Sequence, residues 1–240
     1  MLEKNEIIQS ALRNLKIEEL NPMQEASLEQ ATGRKDVILL SPTGSGKTLA
    51  YLLPLLLTLK PSDDSVQVLI LVPSRELALQ IDSVFKAMGT SWKTCCCYGG
   101  HPIAEEKKSI VGNHPAIIIG TPGRITDHLS KGNFNPETIE TLIIDEFDKS
   151  LEFGFHDEMA EIITQLPGLK KRILLSATDA EEIPEFTGLN RTVKLDFLSD
   201  ASEEQESRLK LMKVLSPSKD KIDTLYNLLC TLGSSSSIVF

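Results

Sequence analysis

The sequence is poor in aromatic residues, in spaced cysteines, in long apolar runs and in positive charge, and each shortage removes a class of protein. Only four of the 240 residues are cysteine. Three of them, Cys95, Cys96 and Cys97, are consecutive, and the fourth is Cys230. Adjacent residues on a strand point to opposite faces and no Cys-x-x-Cys spacing occurs, so neither a zinc site nor a disulfide framework is indicated. The longest apolar stretch, Leu49 to Leu59, falls well short of the roughly 20 residues that cross a bilayer. The opening MLEKNEIIQS carries acids and no apolar signal core, so a cytoplasmic location is expected. A formal charge of −9 argues against a surface that grips polyanions all over. With 14 Gly and 12 Pro the chain is not collagen-like, and at 41% hydrophobic it can build a core.

The acidity is uneven. Residues 1–135 carry 14 Lys+Arg against 14 Asp+Glu, and residues 136–240 carry 11 against 20. Any nucleic-acid contact must therefore come from a local surface.

Short, nearly continuous apolar runs recur at 36–41, 66–72, 116–120, 141–145 and 172–177, with a further strand expected at 93–100. Continuous rather than alternating runs predict strands buried on both faces. Amphipathic stretches such as 74–88 and 155–166 lie between them, which predicts βαβ crossovers and an α/β fold: a mostly parallel sheet with helices on both faces. Asn21-Pro22 reads as the cap and first turn of a helix running to about residue 33. Residues 199–207 are polar and acidic and read as a linker. An apolar run at 209–215, a helix over 216–232 and the closing SIVF predict the opening of a second, truncated domain, giving domain bounds of 1–198 and 208–240.

The strongest chemical signal is SPTGSGKT, Ser41 to Thr48, between a strand and a helix. Its glycines let backbone N–H groups wrap a phosphate, Lys47 would reach the β- and γ-phosphates, and Thr48 would ligate Mg²⁺. Ser41 stands where the usual pattern has its first glycine. Asp145-Glu146-Phe147-Asp148 follows the strand TLII, where open α/β sheets bind ligands. Asp145 would hold Mg²⁺ through water, and Glu146 would orient or deprotonate an attacking water. Taken alone, that tetrad could equally be a solvated acidic turn. Ser176-Ala177-Thr178, Pro73-Ser74-Arg75 and Thr121-Pro122-Gly123-Arg124 also stand at strand ends, and singly each is a common turn or helix start.

In order and spacing, Gln24, SPTGSGKT, PSRELA, Gly99-Gly100, TPGR, DEFD and SAT resemble the amino-terminal RecA-like domain of the DEAD-box ATP-dependent RNA helicases. The resemblance covers about residues 16 to 178. It implies a RecA-like P-loop fold, ATP and Mg²⁺ as cofactors, and RNA-dependent ATP hydrolysis completed by a second RecA-like domain of the same chain, in a protein acting as a monomer. It places Gln24 at the adenine edge, and Thr43, Gly44, Ser45, Gly46, Lys47 and Thr48 around the phosphates. Asp148, Ser176 and Thr178 would couple that site to the RNA surface. Ser74, Arg75, Gly99, Gly100, Thr121, Gly123 and Arg124 would touch RNA phosphates and sugars, with little sequence preference.

The match has departures. Phe147 replaces the alanine of the family motif, so packing should change while the chemistry survives. Ser74 replaces a threonine and keeps the hydroxyl. No aromatic precedes Tyr51, so the ring that commonly stacks on adenine is missing, and weak ATP binding is expected. His101, His114, His128 and His156 have no metal-ligand spacing and read as surface or packing residues. Trp92 reads as a core or edge residue, and Lys170-Lys171-Arg172 as the solvated entry to a strand. A DNA-directed helicase of the same superfamily and a non-hydrolysing, ATP-switched RNA-binding module are the alternative readings.

Overall fold

A computed structural model describes residues 2–33, 35–61, 65–179, 183–199, 212–217 and 219–239. The chain divides into two compact units, residues 1–202 and 203–240. In the first, seven strands form one sheet: β1 (Val37–Leu40), β2 (Val68–Leu71), β3 (Thr94–Cys97), β4 (Ile117–Gly120), β5 (Thr141–Ile144), β6 (Lys171–Ser176) and β7 (Val193–Asp196). Their order is β3-β4-β2-β5-β6-β1-β7, and every pairing is parallel. The expected α/β class with a parallel sheet is therefore what the chain forms. Eight helices of this unit are α1 (Leu2–Leu15), α2 (Pro22–Glu29), α3 (Lys47–Thr58), α4 (Arg75–Ala87), α5 (Ile103–Asn113), α6 (Pro122–Ser130), α7 (Phe147–Glu152) and α8 (His156–Thr164).

Strand side chains alternate between the two faces, and the core splits accordingly. Ile70, Ile117, Ile119, Ile143 and Leu175 pack with Ala11 of α1, Leu52 and Leu56 of α3 and Ile81 of α4 on one side. Leu69, Leu71, Ile118, Leu142, Ile144 and Leu174 pack with Ile110 of α5, Ile125 of α6 and Met159 and Ile162 of α8 on the other. Both faces of the central strands are buried, which explains their unbroken apolar sequences. Edge strand β7 has a half-buried, alternating pattern, too short to register as a strand in the sequence. Helix α1 was likewise not expected.

Asn21 caps α2 as expected: its Oδ1 accepts from the Gln24 N–H at 2.9 Å, and Gln24 Oε1 accepts from the Asn21 N–H at 3.1 Å. Pro54 is carried inside α3. Lys171 departs from its solvated expectation. It is buried, and its ammonium donates to the carbonyls of Gln30, Ala31 and Gly33. Those carbonyls lie just beyond the last turn of α2, where a cation is favoured.

Among the described residues of the second unit, helix α9 (Ile222–Leu232) is shorter than the expected span. Met212–Leu215 and Ser237–Val239 take no regular structure. The rest of the expected strand and all of the expected linker but residue 199 lie outside the described residues. No helix among the described residues is long and apolar enough to cross a membrane.

Candidate functional site

Because all seven strands run the same way, their carboxyl ends share one rim, and strand order sorts the motifs along it. The loops after β5, β6 and β1 carry DEFD, SAT and the glycine-rich loop. Those after β3, β4 and β2 carry Gly99-Gly100, TPGR and PSR. The sequence order of these segments is different, so the grouping is a product of the crossovers.

The glycine-rich loop turns into α3 at Gly46, whose φ of 90° is left-handed. A Cβ at Gly46 would stand 2.7 Å from Gln24 Nε2, so a side chain there would displace the Gln24 amide. Gln24 Nε2 donates to the Gly46 carbonyl at 3.3 Å, and Asn21 Nδ2 donates to the Ser45 carbonyl at 3.0 Å. The start of α2 is thus tied to the loop by two side chains. Gln24 is itself buried with both amide atoms engaged. Ser41 sits where the pattern has glycine. It donates its Oγ–H to Ser45 Oγ at 2.6 Å, and its N–H bonds the Ser176 carbonyl at 3.1 Å. Lys47 opens α3 and donates Nζ–H to the Ser41 carbonyl at 2.7 Å, laying its ammonium across the loop. Burial pulls that ammonium below its ordinary value, against the opposing pull of Asp145, Asp148 and Glu146.

The acidic pair meets this loop through a residue the motifs did not flag. Tyr51 lies one turn along α3 from Lys47, on the same face. It is fully buried and donates its hydroxyl to Asp145 Oδ2 at 3.0 Å. Burial, then the Asp145 charge, raises the phenol well above its ordinary value. Asp145 Oδ1 accepts from the Glu146 N–H at 2.9 Å. Burial pushes the Asp145 carboxyl up to about 6, opposed by the Tyr51 hydrogen bond and the Lys47 charge. Glu146 has a left-handed backbone, with φ 49° and ψ 52°. That conformation is unusual for a residue with a long side chain and is typical of functional turns. The only sequence signal for Tyr51 is its four-residue spacing from Lys47.

Phe147 packs into the core, as its apolar character demanded, and its ring lies 6.5 Å from that of Phe186. The next residue, Asp148, reaches SAT. Its Oδ2 accepts from the Thr178 hydroxyl at 3.0 Å and from the Ala177 N–H at 3.3 Å. Ser176 Oγ accepts from the Thr178 N–H at 3.1 Å and donates to its carbonyl at 2.6 Å. The three expected coupling residues therefore form one hydrogen-bonded group beside the loop.

On the other half of the rim, Ser74 caps α4 by accepting from the Leu77 N–H at 3.2 Å. Arg75 is exposed, with its guanidinium carbon 5.0 Å from the centre of the Tyr98 ring. Thr121 caps α6 through its backbone alone, and its N–H bonds the Cys97 carbonyl at 3.1 Å. Gly99 and Gly123 are exposed, with no atom within 4 Å of where a Cβ would stand. Arg124 is held inward, donating Nε–H to Glu106 at 2.7 Å. Two histidines read from sequence as surface or packing residues, His101 and His128, also bond Glu106.

The donor set fits a magnesium-bound triphosphate. A loop of backbone N–H groups with a buried lysine suits phosphates, and a threonine hydroxyl with a buried carboxylate of raised pKa suits a hard cation.

A family model described as DEAD/DEAH box helicase matches residues 21–186. The DEAD-box ATP-dependent RNA helicase CshA of Bacillus licheniformis is 30% identical over 232 residues, covering 96% of this chain and 47% of that protein. The ATP-dependent RNA helicase DRS1 of Candida glabrata is 33% identical over 245 residues, covering 97% of this chain and 34% of that protein. The crystal structure of a hypothetical ATP-dependent RNA helicase from Sulfolobus tokodaii superposes with a TM-score of 0.72 at 30% identity, covering 80% of this chain and 57% of that one. The chain spans about half or less of the length of these curated relatives.

Proposed function

The chain belongs to the DEAD/DEAH box helicase family, and from that premise we propose that it is the ATP-binding part of an ATP-dependent RNA helicase. The carrying observation is the rim: DEFD and the glycine-rich loop share one half with SAT between them, Gly99-Gly100, TPGR and PSR share the other, and Asp148 bonds Thr178 of SAT. Thr43 to Gly46 would supply N–H groups to the phosphates, and Lys47 would leave the Ser41 carbonyl for the γ-phosphate. Thr48 and Asp145 would hold Mg²⁺, which when bound neutralises charge on the phosphate oxygens. Glu146 would take a proton from the attacking water at its carboxylate. Gln24, with one amide hydrogen and one carbonyl lone pair still to give, would face the adenine edge. Ser74, Arg75, Gly99, Gly100, Thr121, Gly123 and Arg124 would contact the RNA backbone.

Without an aromatic to stack on adenine, ATP binds loosely, with a Kd above about 1 μM, near −8 kcal/mol. Arginines that stabilise the phosphoryl transition state are worth about 10³–10⁵ in rate, and in this reading the second RecA-like domain supplies them. The test is ATP hydrolysis with and without single-stranded RNA. The 240-residue chain should bind Mg·ATP and turn it over negligibly, and a longer protein carrying the second domain should hydrolyse it when RNA is added. RNA-stimulated turnover by these 240 residues alone would refute that division of labour. Equal stimulation by DNA would favour the DNA-directed reading, and an intact function in Glu146→Gln the non-hydrolysing one.

A further inference from the structure

We infer that Glu106, which belongs to none of the motifs, is the positioning residue of the RNA-facing half of the rim, holding Arg124 and the Tyr98–His101 turn in one fixed arrangement. The inference rests on the RNA reading above. Glu106 lies in the first turn of α5 and is only 4% exposed. Its Oε1 accepts from the Tyr98 N–H at 2.8 Å and lies 2.9 Å from His101 Nε2. Its Oε2 accepts from Arg124 Nε at 2.7 Å and from His128 Nε2 at 2.6 Å. Asn133 Nδ2 lies 3.0 Å from His128 Nδ1. An amide donating there puts the ring proton on Nε2, facing Glu106. A carboxylate offers about four acceptor sites, and three of them are taken by the Tyr98 N–H, Arg124 and His128.

Cys97 also has its sulfur near Glu106 and His128, the three ligand atoms lying within 4.8 Å of one another. A cation there would have to displace those donors beside a guanidinium, so the cluster is a hydrogen-bond junction and not a metal site. Its members come from the end of β3 and the turn after it, from α5, and from α6 and the segment that follows it. Arg124 also donates Nη2 to the His101 carbonyl. With Nε and Nη2 both fixed the guanidinium plane cannot turn, and Nη1 is the nitrogen left to meet a phosphate. A preset fork loses little side-chain freedom on binding. The same junction fixes Tyr98, on whose ring Arg75 rests, so one buried carboxylate orients two arginines.

The test titrates the chain with a fluorescein-labelled ten-nucleotide oligouridylate at several salt concentrations. The proteins are wild type, Glu106→Ala, Arg124→Ala and the double variant, with nucleotide affinity reporting on the fold of Glu106→Ala. Glu106→Ala should weaken RNA binding about as much as Arg124→Ala, about tenfold, and flatten the log–log salt slope by about 0.7, one phosphate contact to a single strand. The double variant should lose little more than either single one, since Glu106 acts through Arg124. If wild type binds and Arg124→Ala weakens it, but Glu106→Ala keeps wild-type affinity and slope, the positioning role is overturned and the RNA reading stands. An additive double variant overturns it as well. If wild type does not bind the oligonucleotide, the RNA reading falls and this inference with it. Should Glu106→Ala also lose nucleotide binding, Glu106→Gln decides. It keeps the volume and one acceptor oxygen and should lose about threefold, and unchanged affinity would count against the role.

Discussion

Replacing Asp145 by Asn should make the protein more stable at neutral pH, although it removes a proposed metal ligand. The Asp145 carboxyl is 3% exposed, and burial moves it from 3.8 to about 6. One pKa unit corresponds to about 1.4 kcal/mol, so the ionised group costs the fold about 3 kcal/mol once both folded and unfolded states are ionised. The sign follows from proton counting. Between pH 3.8 and about 6 the folded state holds more protons than the unfolded one. Stability therefore falls as pH rises through that window and is flat above it.

Asn removes the charge and keeps the contacts. Its Oδ1 can accept from the Glu146 N–H, and its Nδ2 can donate to the Tyr51 hydroxyl oxygen. Part of the gain is returned because Lys47 loses the neighbour that favours its charge. A net gain of about 1–3 kcal/mol remains, or a rise in Tm of about 2–10 °C for a domain of this size. Thermal melts of wild type and Asp145→Asn, free of nucleotide and divalent metal, at pH 7.5 and pH 4 provide the assay. The gap in Tm should be largest at pH 7.5 and nearly closed at pH 4. A variant no more stable than wild type at pH 7.5, or a gap that does not shrink on acidification, would refute the reasoning.

Two further substitutions test how the scaffold is held. Lys171→Met should cost about 1–3 kcal/mol in urea unfolding, because the Gln30, Ala31 and Gly33 carbonyls lose their shared donor. An unchanged midpoint would mean that the buried lysine does no capping. Ser74→Ala should cost about 1 kcal/mol by removing the cap on the Leu77 N–H, whereas Ser74→Thr should be close to neutral. Equal losses in the two variants would show that the hydroxyl is not what matters there.

The strands were legible because burial on both faces writes itself as an unbroken apolar run, as in VLIL of β2 and TLII of β5. The glycine-rich loop was legible because phosphate wrapping demands a particular backbone. Strand order was not, since parallel neighbours are joined by crossovers and chain order does not name the partner. Single polar residues that act across such crossovers were equally hidden. Tyr51 reads as one more residue on an apolar helix face until β5 brings Asp145 against it. Lys171 reads as part of a basic cluster until the end of α2 arrives. Glu106 is one of two adjacent acids on α5, and only its meeting with Arg124 and two histidines distinguishes it.

The account turns on Lys47, Asp145 and Glu146 facing one triphosphate and its metal ion. The most direct measurement is calorimetric titration of ATP, with and without Mg²⁺, into wild type and Lys47→Ala. Wild type should bind ATP more tightly with Mg²⁺ than without it, and Lys47→Ala should lose at least about tenfold, 1.4 kcal/mol, in its presence. Undiminished Mg·ATP binding by Lys47→Ala, or a wild-type affinity indifferent to Mg²⁺, would contradict it.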